Sequence, residues 1–144
     1  MVNPDGWAAG DRNNANDVDL NRNFPWGWNQ TTPFSGPTAA SEPETQAVVQ
    51  FLERKRPNLV IWFHQPLDYV AGLPSCPPEY ADVWAFVAGV PRRPHVRQVG
   101  GGETWASEVL GLPSMLIEVG GERDAPVRVA EHVAALEALL PLVR

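Results

Sequence analysis

Asp19-Leu20-Asn21-Arg22-Asn23-Phe24-Pro25 sets a guanidinium between two amides, bounded by an apolar residue and an aromatic-proline stop. Arg22 offers a planar fork of donors that matches a carboxylate two bonds at a time. Asn21 beside it donates from its amide. Held in a tight loop or at a strand end, such a pair suits capture of the carboxylate end of a small molecule or peptide. On an ordinary polar loop the same residues would only be solvated, so the rest of the chain must decide.

Three more residues carry chemistry. His64 ends the apolar run Leu59-Val60-Ile61-Trp62-Phe63 and precedes Gln65-Pro66. A strand-end His is either a hydrogen-bonded structural residue or a metal ligand, since neutral imidazole suits zinc. Glu118 interrupts Met115-Leu116-Ile117 and Val119. A carboxylate buried there without a partner is costly. It is therefore either half of an ion pair with an Arg or a base whose pKa burial raises. Arg12, nine residues before Asn21, would stabilise an oxyanion if it stood beside a metal-bound water. His95, after a basic loop, and His132, expected to face solvent from the last helix, have no such context.

The elements that must position these groups read as an α/β domain. Residues 3–40 hold seven Asn and little periodicity, which is loop chemistry of a length that is usually functional when ordered. Val18 and Leu20 alternate with polar residues and predict a very short strand. Ser41-Glu42-Pro43-Glu44 predicts a helix start with Ser41 as N-cap and Glu44 closing a capping box, and Pro57 stops that helix near Arg56. The run 58–63 reads as a strand buried on both faces, with His64 at its carboxyl end, where such sheets gather functional groups. Short helices are expected over 79–88 and 104–110, the latter capped by Thr104. Residues 114–119 form a second buried strand. The last helix, 125–140, is capped by Asp124 and should bury Val129, Val133, Leu136 and Leu140. The pattern predicts one domain of the α/β layer type.

Composition narrows the partners. With 144 residues, 44% hydrophobic, the chain can bury a core. A net charge of −6 argues against nucleic acid. No apolar run approaches a membrane span. The single cysteine, Cys76, excludes an internal disulfide and is expected to be inert. The turn Asn3-Pro4-Asp5-Gly6 stands at the very start, with no helix or strand before it, so the chain is expected to continue a larger domain.

Taken in order, Asn3-Pro4-Asp5-Gly6, Arg12-Asn13-Asn14, Val18 to Pro25, Ser41-Glu42-Pro43-Glu44-Thr45, a strand ending in His64 and a strand carrying Glu118 resemble the zinc carboxypeptidases. The resemblance is to the metallocarboxypeptidase superfamily, its short bacterial members above all, and covers residues 1–144 as the C-terminal part of the catalytic domain. It implies a phosphorylase/hydrolase-like α/β fold, a mixed twisted sheet flanked by helices, and zinc as cofactor. It implies hydrolysis of an amide bond next to a free terminal carboxylate, with peptides or muropeptides as substrates. It also implies roles: His64 as the last of three zinc ligands, Glu118 as general base and then proton donor, Asn21 and Arg22 as the carboxylate grip, and Arg12 polarising the scissile carbonyl. These groups should converge on one cleft, and an unusual peptide, a cis Gln65-Pro66 bond, is expected beside His64.

Two departures stand out. The family's first two zinc ligands come from His-x-x-Glu, and no His-x-x-Glu occurs in the 144 residues. The chain alone is therefore expected to bind zinc poorly and to be inactive. The family's substrate-covering Tyr has no counterpart in Val96-Arg97-Gln98-Val99-Gly100, where Trp105 is the nearest aromatic. The rival activities are an N-acyl amino acid deacylase and a non-catalytic carboxylate-binding module.

Overall fold

In the computed structural model the described residues are 2–120 and 128–143. The helices are α1 (Pro4–Ala9), α2 (Pro43–Lys55), α3 (Pro78–Ala88), α4 (Gly102–Glu108) and α5 (Val129–Leu139). The strands are β1 (Val60–His64), β2 (Tyr69–Gly72) and β3 (Ser114–Glu118), and 3-10 turns cover Leu20–Arg22 and Leu140–Leu142. The chain divides into two compact units, Met1–Arg56 with Arg97–Leu110 and Pro57–Val96 with Gly111–Arg144.

The first unit is mostly shaped loop. The opening turn is the start of α1: the Asn3 side chain accepts from Gly6 N–H and caps it, with Pro4 in the first turn. Where alternation suggested a short strand at Val18 and Leu20, the chain instead makes the 3-10 turn Leu20–Arg22, capped by Asp19. A side-chain cap holding Asn21 N–H at 3.0 Å favours the turn over an unpaired strand. Asn23 is fully buried. Its amide donates to Ser35 O, Thr38 O and Ser41 Oγ, and its oxygen accepts from Glu42 N–H. One residue thus pins the loop that leads to α2. The N-cap of α2 is Glu42, not Ser41, and no side chain caps the helix. Ser41 Oγ is drawn instead to Glu42 Oε1 at 2.6 Å. Burial pushes the Glu42 carboxyl up, but hydrogen bonds from Ser41, Asn14 and Asn16 outweigh it and hold the group below its ordinary value. The start of α4 is Gly102, not Thr104. Thr104 is buried inside the first turn, where its hydroxyl accepts from Gln98 N–H.

Among the described residues the second unit holds a mixed three-stranded sheet in the order β1-β3-β2, parallel between β1 and β3 and antiparallel between β3 and β2. The expected mixed sheet with helices is therefore present. Ile61, Val70, Met115 and Ile117 face a core completed by Tyr80, Ala81, Trp84 and Ala88 of α3 and Ala135 and Leu139 of α5. Trp62, Tyr69, Ala71 and Leu116 form a second cluster, on the opposite face by strand alternation. β3 is buried throughout, as expected. β1 is not buried on both faces: among the described residues it pairs only with β3, and Phe63 is 56% exposed.

α5 turns a different face inward from the expected one. Val129, Val133, Leu136 and Leu140 are exposed, while His132, Ala135 and Leu139 are buried. Small residues decide this, because Ala81, Ala88 and Ala135 let α3 and α5 approach closely in the core. His132 therefore does not face solvent. Its Nδ1 accepts from Trp84 Nε1 at 3.3 Å. Asp124, the expected cap of this helix, lies outside the described residues. Cys76 is buried, and burial pushes its thiol up to about 11, so it carries little thiolate near neutral pH.

Candidate active-site residues

His64 and Glu118 meet in the second unit. They are partners in the parallel register of β1 and β3, with Tyr69 opposite Glu118 on the other side. Strand alternation puts all three on the sheet face away from α3 and α5, with Trp62 and Leu116. Glu118 is 7% exposed. Its Oε2 accepts from Leu67 N–H at 3.5 Å, and no ion pair with an Arg is seen among the described residues. Val119 N–H donates to His64 O, continuing the ladder past both residues. The Gln65-Pro66 bond that follows is cis, as expected.

Asn21, Arg22 and Arg12 belong to the first unit and gather around one carboxylate. Asp19 Oδ2 accepts from Arg12 Nε at 2.7 Å, and Asp19 Oδ1 accepts from Asn21 N–H. Arg22 Nη1 lies 3.9 Å from Asp19 Oδ2, too far for a hydrogen bond. That nitrogen donates instead to Asn21 O at 2.8 Å. The Nε–Nη2 edge of Arg22, the side that grips a carboxylate with two parallel bonds, has no partner among the described residues. Asn21 is fixed from the other end, where Gly102 N–H donates to its Oδ1 at 2.8 Å. With Oδ1 turned to Gly102 N–H, the Asn21 side chain leaves its amide nitrogen for a ligand.

Residues 100–102 support this arrangement. Phe24 N–H donates to Gly100 O, and Gly100 N–H donates to Trp26 O. A Cβ on Gly100 would stand 2.1 Å from Arg22 O, and its φ is +67°. Only glycine lets the two backbones approach this closely. Asp19, Tyr69 and Gly100 were absent from the sequence-derived site. The Asp side chain two positions before Asn21 was the one legible sign among them, as an Asx-type cap.

The donor set does not fit a complete zinc centre. His64 supplies one nitrogen, and a catalytic zinc takes three protein ligands. Among the described residues no group of three or more His, Cys, Asp or Glu is placed to hold a metal ion.

The family model described as zinc carboxypeptidase matches residues 1–79. Murein peptide amidase A of Escherichia coli K12 is 36% identical over 115 residues, 69% of this chain and 46% of the relative. Its namesake in Vibrio campbellii is 31% identical over 160 aligned positions, 96% of this chain and 62% of the relative. The crystal structure of murein-tripeptide amidase from E. coli O157 superposes over 100% of this chain and 66% of its own, with TM-score 0.76 and 29% identity. Carboxypeptidase A from Helicoverpa armigera shares the fold, with TM-score 0.77 at 18% identity over 99% of this chain and 50% of its own. The chain spans about half the length of the curated relatives it matches.

Proposed function

The chain belongs to the zinc carboxypeptidase family, and from that premise we propose that it serves hydrolysis of an amide bond next to a free terminal carboxylate. The observation that carries this reading is the Nε–Nη2 edge of Arg22, unpartnered among the described residues, beside an Asn21 whose amide oxygen is turned to Gly102. Such a pair presents several donors to an anion with several acceptors. The murein peptide amidases among its relatives favour a cell-wall peptide as the substrate.

Each group in this chain has a task in that reaction. Arg22 and Asn21 bind the terminal carboxylate and fix the substrate's register. Arg12, with Nη1 and Nη2 unpartnered among the described residues, donates to the scissile carbonyl as negative charge develops on its oxygen. Glu118 takes the proton of the attacking water and returns it to the leaving amine. His64 is the chain's one proposed ligand to the family's zinc. The other ligands are not found among the described residues. These residues alone are expected to bind substrate without turning it over.

A second reading, a non-catalytic carboxylate-binding module, draws on that same incomplete ligand set. One experiment separates the two. The chain is incubated, with and without zinc, with an N-acylated peptide ending in a free carboxylate and with its C-terminal amide. Binding of the free acid alone supports the clamp. Hydrolysis of the free acid by a longer protein containing this chain, lost in Glu118→Gln, supports the enzyme. Preserved hydrolysis in that variant overturns the role of Glu118, and absent hydrolysis by the longer protein with selective binding favours the module. Equal binding of acid and amide overturns both readings.

A further inference from the structure

The geometry points to Asp19 as a positioning residue that sets the direction in which Arg12 presents its guanidinium. The inference rests on reading Asn21 and Arg22 as a carboxylate clamp, with Arg12 acting on the same substrate. Asp19 is held on every side: its N–H donates to Phe34 O at 2.9 Å, its O accepts from Arg22 N–H at 2.8 Å, and its Oδ1 caps Asn21. Its side chain is 11% exposed. The remaining oxygen, Oδ2, therefore has a fixed place and direction.

Arg12 has no such constraints of its own. Its side chain is 61% exposed, and the bond from Nε to Asp19 Oδ2 is the only hold on its guanidinium among the described residues. A bond to Nε anchors the inner edge of the group and leaves both terminal nitrogens, unpartnered among the described residues, to donate outward. A bidentate grip on Nη1 and Nη2 would have consumed them. The same carboxylate stands 3.9 Å from Arg22 Nη1, so one negative charge lies against two cations without occupying the edge of Arg22 that takes substrate. Asp19 thus ties the position of Arg12 to the turn that carries Asn21 and Arg22. Orientation fixed before binding spares the ligand that ordering cost.

The test uses Asp19→Asn, which keeps an oxygen for Asn21 N–H but loses the charge and the second acceptor. The first readout is hydrogen exchange of the Arg12 Nε–H, followed by 15N NMR. The second is affinity for an N-acetylated dipeptide with a free carboxylate, measured in the Arg12 and the Arg12→Ala backgrounds. Asp19→Asn should speed exchange at Arg12 Nε–H and weaken the dipeptide about tenfold, the scale of one charge-assisted hydrogen bond. In the Arg12→Ala background the same change should cost almost nothing more. If Asp19→Asn does not fold, Asp19→Glu, which keeps the charge but moves it by one methylene, is the second variant and should likewise speed exchange at Arg12 Nε–H and weaken the dipeptide in the Arg12 background alone. Unchanged exchange at Arg12, or equal losses in both backgrounds, overturns the proposal and leaves Asp19 a structural cap. If Arg12 loses protection while the unmodified chain shows no preference for free acid over amide, the clamp reading fails and the Asp19 hold on Arg12 stands.

Discussion

Gly102 N–H donates to Asn21 Oδ1 at 2.8 Å, joining residues 81 positions apart. The bond assigns the two ends of the Asn21 amide: the oxygen faces the first turn of α4, and the nitrogen is left for a ligand. Asn21→Asp keeps an acceptor for Gly102 N–H and removes both donors. It should leave the unfolding midpoint nearly unchanged, yet weaken a free-carboxylate peptide by about tenfold or more, because a donor pair becomes a repelling charge. Parallel denaturation and titration of the variant check both halves.

Gly100 carries the second support. A methyl group there would meet the Arg22 backbone at 2.1 Å, whereas one on Gly111 meets nothing within 4 Å, although both residues have positive φ. Gly111→Ala should cost about 1 kcal/mol of backbone strain. Gly100→Ala adds a backbone clash and should cost at least about 2 kcal/mol more, with loss of carboxylate binding. Urea midpoints of the two variants give the comparison.

Much of this was legible in the chain, and the failures have physical causes. The run into His64 and the carboxylate within 114–119 stood out because a buried sheet leaves polar groups few places. The 3-10 turn at Leu20–Arg22 was missed because its stability comes from the Asp19 cap rather than from periodicity. Gly100 and Gly102 were missed because their partners lie about 80 positions away, beyond any local pattern. The face of α5 was misread because periodicity selects the most apolar stripe, Val129 to Leu140. Packing chose the stripe that lets α3 come close, through Ala135.

His132 gives a pH dependence. Burial holds its imidazole below the ordinary histidine value of 6.5, and Arg128 acts the same way, against weaker pulls from Asp68 and Glu131. The unfolded chain therefore binds this proton more readily than the folded one. Stability is full above about pH 6.5 and falls as pH drops through that value toward the folded pKa. His132→Gln keeps an acceptor for Trp84 Nε1 without the titration. Thermal midpoints at pH 7, 6 and 5 should fall in the unmodified chain and fall less in the variant.

Metal content tests the ligand assignment. With His64 the one proposed ligand, these 144 residues should retain little zinc through dialysis against a weak chelator. His64→Ala should remove what remains. Stoichiometric zinc that survives His64→Ala, measured by elemental analysis, would place the metal elsewhere.

The most direct measurement concerns Arg22. Affinities of one N-acetylated dipeptide as free acid and as C-terminal amide are compared on the unmodified chain and on Arg22→Lys. Lysine keeps the charge and loses the two-pronged edge. The free acid should bind the unmodified chain about tenfold or more tightly than the amide, and Arg22→Lys should erase most of that difference by weakening the acid alone. Equal affinity of acid and amide for the unmodified chain, or equal loss of both in Arg22→Lys, would contradict the carboxylate clamp.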